Sequence, residues 1–196
     1  MSVAFLIFAA AAVPPGDSDS LAIKALHDFG ACIVEESPKG APEQLLAMDF
    51  RTEDYRKKLR AMTKGHDRCL VPNWKLRTNG SLLIAGAMAE ALLKAEVKPA
   101  ELPQRLAYDP ARPAIPARSQ IETMALCTVL KAPQPTSQLL EAEPASKDET
   151  AAMAPIGPVL GECLKKEMKV SLNPPAVRAL LALAAWRIAS TPKAAS

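Results

Sequence analysis

Cysteine thiols and histidine imidazoles can hold a metal, exchange electrons or move protons. This chain has four of the first and two of the second: Cys32, Cys69, Cys127 and Cys163, with His27 and His66. Zinc takes such ligands, though usually at tighter local spacings than these. The cysteines fall into two pairs with similar surroundings. Around the first pair the chain reads Phe29-Gly-Ala-Cys32, Gln44-Leu45-Leu46 and Cys69-Leu70; around the second it reads Met124-Ala-Leu-Cys127, Gln138-Leu139-Leu140 and Cys163-Leu164. When the two stretches are aligned, Glu122 and Leu160 stand where His27 and His66 stand. A duplicated metal site is thereby excluded, and two surface histidines are the better account. No cofactor is expected. Nucleophilic and redox catalysis lack their usual marks: there is no Gly-x-Ser-x-Gly elbow, no Cys-x-x-Cys pair and no Gly-rich phosphate loop. The acidic pairs Glu35-Glu36 and Glu53-Asp54 fit a loop and a helix start. The expectation is a protein that is not an enzyme.

One charged arrangement remains. Arg56, Arg60 and Lys64 are spaced by four and share a helix face, with Lys57, Lys58 and Arg68 beside them. The second stretch has Thr150, Ala154, Pro158 and Glu162 opposite Arg56, Arg60, Lys64 and Arg68, so the stripe belongs to the first alone. Charge runs are most often solvated helix faces. The sharper reading is contact with an anionic partner: a lipid headgroup surface, a cell-wall polymer or an acidic protein. Elsewhere the charge is even. Residues 19–97 carry twelve basic and eleven acidic side chains, and residues 119–191 carry seven of each. Neither has the concentrated positive field of a nucleic-acid binder.

These residues sit in an internal repeat. Counted from the second cysteine of each pair, Leu45 and Leu139 lie 24 residues before, Thr52 and Ser146 17 before, and Asn79 and Asn173 10 after. Such self-similarity bears on architecture before any single motif does. An even cysteine count in an exported chain reads as a disulfide framework. Of the three pairings, the repeat favours Cys32–Cys69 and Cys127–Cys163, since a copied unit should carry its own bridge. Each closure would stabilise by about 3–4 kcal/mol in the chain-entropy model. Export is supported by the apolar run Val3 to Val13, which is too short for a bilayer but fits a secretory signal. Residues 1–12 are read as that signal, although no Lys or Arg precedes the run. The compartment expected is periplasmic or secreted.

The positioning elements are helices. Aromatics make up only 4% of the chain while alanine and leucine abound, which favours helices packed through small residues over strands. Residues 13–97 form a first helical unit. Its first helix is capped at Ser18, Asp19 or Ser20 and runs to about Val34; a short helix follows Pro42; Thr52 caps a third, to about Thr63. Asn79, also part of a glycosylation triplet, caps the last, from Gly80 to about Ala95. Gly86 in that last helix predicts close approach by a neighbour. Residues 98–118, with five prolines, read as an extended spacer in which Leu102 to Tyr108 could make one turn. Residues 119–191 repeat the unit: Ser119-Gln-Ile-Glu122 and Ser146-Lys-Asp-Glu149 are capping boxes, and Asn173-Pro174-Pro175 opens a final helix to about Ser190. Residues 192–196 are a tail. The fold expected is all-α: two homologous small helical bundles, each with one internal disulfide, packed through their final helices. Glu90 interrupts one final helix, and Arg178 and Arg187 the other, so neither is a membrane span.

Together Phe29, Cys32-Ile33-Val34, Leu45-Leu46, Cys69-Leu70, Leu76-Arg77 and Ala89-Glu90-Ala91-Leu92 resemble a group of small exported alphaproteobacterial proteins built from such two-cysteine units. The second unit departs from the pattern at Met124, Val170-Ser171 and Leu183-Ala184-Ala185-Trp186. The resemblance implies export and an all-helical fold, and it brings no activity with it. The function expected is that of a non-catalytic interaction module whose partner is a protein or an envelope component, with no nucleic acid. The alternatives are a stress-protective holdase, or an enzyme with a site between the two units.

Overall fold

A computed structural model describes residues 17–70, 81–165 and 170–192. The expected signal, the Asn79 cap and Leu76-Arg77 lie outside them. Among the described residues the chain is entirely helical. The first half holds α1 (Asp17–Glu36), α2 (Ala41–Leu46), α3 (Glu53–Gly65) and α4 (Ser81–Glu96). The connector holds α5 (Leu102–Leu106). The second half holds α6 (Gln120–Lys131), α7 (Pro133–Glu141), α8 (Lys147–Met153), α9 (Ile156–Cys163) and α10 (Pro174–Ser190).

Local chemistry sets most of these boundaries. The side chains of Thr52, Ser119, Ser146 and Asn173 each accept a hydrogen bond from the backbone N–H three residues on, satisfying one of the donors a helix start leaves open. Gly40, at φ 85°, turns the chain into α2 in a conformation that favours glycine. Pro155 separates α8 from α9, where the first half has the single helix α3. α1 differs from expectation: it begins at Asp17, so the residues expected to cap it lie within or beside its first turn.

Packing places α4 and α10 at the centre. Their Ala- and Leu-rich sequences are buried on nearly all sides, as expected of helices apolar around their whole circumference. A Cβ on Gly86 would stand 2.4 Å from the Cα of Ala179, so only glycine admits this approach. α1 is seated on α4 in the same way, through Gly30 against Ala87. α6 packs on α10 as α1 packs on α4. The disulfides are Cys32–Cys69, joining α1 to the turn after α3, and Cys127–Cys163, joining α6 to α9. One apolar core runs through both halves.

The connector is more than a spacer. Leu102 and Leu106 are buried, and α5 packs on α7 and α10. Proline at the first turn of a helix is tolerated, so Pro103 does not prevent α5. The pair of leucines spaced by four then has an apolar surface to cover.

Candidate functional site

Two groups of side chains could act on something else: the basic face of α3 and a buried ionic cluster at the junction of the halves. α3 is fixed by the Thr52 cap and by burial of Tyr55 and Leu59. Among the described residues it packs chiefly on α2. Arg56, Lys57, Arg60 and Lys64 are all exposed. Arg56 pairs with Glu53 at 2.9 Å and Lys58 with Asp54 at 3.2 Å, one turn toward the N-terminus, and Arg68 pairs with Glu36. Among the described residues, Lys57, Arg60 and Lys64 make no ion pair. The stripe read from the sequence is thus present as a surface, with three of its cations uncommitted.

The cysteines read as disulfides are paired as the repeat implied, which removes them as thiolate ligands. Glu36 lies 3.5 Å from the Cys69 sulfur, but both sulfurs there belong to the bridge. The two histidines are not the plain surface residues the sequence suggested. His66 is half-buried, with Nδ1 2.7 Å from the Met62 carbonyl and Nε2 3.3 Å from the Ser37 hydroxyl. His27 is only 17% exposed, and its Nδ1 stands 3.7 Å from Glu90 Oε2.

Glu90 belongs to the second group. Arg178, in the first turns of α10, is fully buried. Its Nε and Nη2 donate to the two carboxylate oxygens of Glu90 on α4, both at 2.8 Å. Nη1 donates to Glu149 of α8 at 3.1 Å, and Nη2 also to the Ala142 carbonyl at 2.9 Å. Glu149 in turn accepts from the Ala145 N–H at 2.6 Å, holding that residue at φ 58°. Burial works against the Arg178 charge, but the bonds to Glu90 and the charges of Glu90 and Glu149 outweigh it and hold its pKa above the ordinary value. Burial is also the largest influence on His27 and pushes its pKa down. Glu90 and Glu149 pull the other way, and the positive charges of Arg178 and Lys94 add to the depression.

A shallower cluster lies at the other end of α10. Glu122 of α6 accepts from Arg118 at 2.6 Å and from Arg187. Arg118 also donates to the carbonyls of Ala47 (2.8 Å) and Met48 beyond α2, and Arg187 to that of Pro116 at 3.0 Å. Burial opposes the Glu122 charge; hydrogen bonds from Arg118 and the charges of both arginines more than offset it and keep the carboxyl below its ordinary range.

An open cleft of about 340 Å³ adjoins the deeper cluster, between α4, the connector and α7, with Glu90, Leu93, Lys94, Val97, Leu102 and Leu140 among its walls. It is concave, but of the two carboxylates among its walls Glu90 is engaged by Arg178 at both oxygens, and Glu141 accepts from the Ser137 hydroxyl at 2.8 Å. In the sequence Glu90 and Arg178 mark only helices that stay outside the membrane. An acidic residue within the apolar run of α4 and a basic one within that of α10 were the signal that the two helices meet. No helix of the described residues is long and apolar enough to cross a membrane. Comparison with known protein families, curated proteins and solved structures finds no match to this chain.

Proposed function

We propose that this chain is a non-catalytic helical interaction protein, periplasmic or secreted, that docks on an anionic envelope surface through α3. The two halves are read as copies of one ancestral unit, of the kind found in the small exported alphaproteobacterial proteins its motifs resemble. Two disulfides fit a non-reducing, extracytoplasmic compartment. The single observation behind the docking surface is the outward face of α3, where Lys57, Arg60 and Lys64 are exposed and unpaired among the described residues. A helix held by a cap, two buried side chains and a nearby disulfide presents those charges with little ordering cost. The deep titratable groups favour binding over catalysis, because Glu90, Glu149 and Arg178 are spent on one another.

Vesicle sedimentation tests the reading. The protein should bind phosphatidylglycerol vesicles and not phosphatidylcholine ones. Binding should fall steeply when salt is raised from about 50 to about 300 mM, because exposed charges are screened. R56E/R60E/K64E should abolish it. A wild-type protein that ignores anionic vesicles at low salt ends the proposal.

A further inference from the structure

We propose that His27 and the Glu90–Arg178–Glu149 cluster form an acid-sensitive latch across the junction of α1 and α4 with α8 and α10. The geometry places a titratable ring against the cluster that ties the halves together. Arg178 has no exposed surface, and it reaches partners 88 and 29 residues away in the chain. Its two carboxylates draw a proton toward His27, but burial of the ring opposes that charge more strongly. The charged groups facing the ring are Glu90 and Lys94 from α4, Arg178 from α10 and Glu149 from α8. Lys24, one turn earlier on α1, is paired with Glu143 of the α7–α8 loop.

Glu90 Oε2 is the pivot. It accepts from Arg178 Nη2 at 2.8 Å and stands 3.7 Å from His27 Nδ1, too far for a hydrogen bond. A proton on His27 makes a second cation that competes for the same oxygen. Drawing Glu90 toward the ring lengthens its bond to Arg178, and leaving it in place strands a poorly hydrated imidazolium beside a guanidinium. Either outcome weakens the tie between α4 and α10. The sign follows from linkage. The folded pKa of His27 lies below its ordinary 6.5. The ring is therefore protonated more readily once the junction opens, and acid favours the open form. The stabilisation is full above pH 6.5 and declines as pH falls from there toward the folded pKa. Opening would expose the apolar seam where Gly86 meets Ala179.

The test uses the full exported chain with both disulfides intact. Thermal midpoint and fluorescence of a hydrophobic dye are followed from about pH 7.5 to about pH 5, spanning the histidine titration, for wild type, H27Q and H66Q. Wild type should lose thermal midpoint and gain dye fluorescence several-fold below pH 6.5. H27Q should shift the acid transition down by about half a pH unit or more, and H66Q should follow wild type. An H27Q profile that superimposes on wild type, or a wild type that is flat to pH 5, overturns the latch. Should H27Q fail to fold, proton NMR of wild type decides: a His27 ring titrating below 6.5 together with the loss of stability supports the latch, and one titrating at or above 6.5 refutes it.

Discussion

The final helix carries two arginines nine positions apart, and their settings differ in depth. Arg178 is sealed off and bonded to two carboxylates from different elements, while Arg187 keeps 15% of its side chain exposed and shares Glu122 with Arg118. Both use a glutamate that opens a helix. Glu122 and Glu149 are each the third residue after a serine cap, where a carboxylate also meets the positive end of the helix dipole. The corresponding place after the Thr52 cap holds Tyr55, which is buried with its hydroxyl unpartnered among the described residues. The same local device thus serves as a bare cap with apolar packing in the first half and as an ionic anchor in the second. A buried ion pair is costly to break because the abandoned partner stays out of water; a rim pair can rehydrate. The deep cluster should hold the halves together, and the shallow one should trim the chain where the connector ends.

That contrast can be broken most forcefully at Arg178. R178A leaves Glu90 and Glu149 buried without a counter-charge and should lower unfolding free energy by about 3–5 kcal/mol, measured by urea denaturation. Replacing all three by leucine or methionine (E90L, E149L and R178M together) should recover most of that loss, since a well-packed apolar trio removes the stranded charges. R187A should cost only about 1 kcal/mol, because Glu122 retains Arg118. The two clusters should also fail at different acidity. The Glu122 carboxyl is held below its ordinary 4.5, so its contribution is present above that value and is lost only as pH falls through the lower folded pKa. The smallest effect expected has the opposite sign. Ala145 sits at φ 58°, which glycine adopts without strain, so A145G should stabilise by about 0.5–1 kcal/mol if Glu149 keeps its bond to the Ala145 N–H.

Features carried by neighbours in sequence were legible before any coordinates. Thr52, Ser119, Ser146 and Asn173 were readable as caps because a cap is a contact between residues three apart. Cys32–Cys69 and Cys127–Cys163 followed from matching positions, and Gly86 announced a close helix neighbour. The ionic cluster was not legible, because Glu90 and Arg178 are 88 residues apart and each alone marks only a helix outside the membrane. His27 looked like a surface residue for the same reason: the charged groups around it, Glu90, Arg178 and Glu149, all lie far along the chain. In the connector, five prolines spoke louder than Leu102 and Leu106, whose spacing was the fainter sign of a packed turn. The exposure of the stripe on α3 was legible, since a helix of known phase fixes its outward face, but the ion pairs of Arg56, Lys58 and Arg68 were not.

Each sulfur bridge closes inside its own half, and no free cysteine is left to cross between them. Backbone near Tyr108, which is 74% exposed, is therefore part of the sole covalent tie joining the two sides of the molecule. Chymotrypsin at Tyr108 should yield a nicked species that still elutes as a single peak at neutral pH. On a non-reducing denaturing gel the same sample should part into two bands, because no sulfur bridge spans the nick.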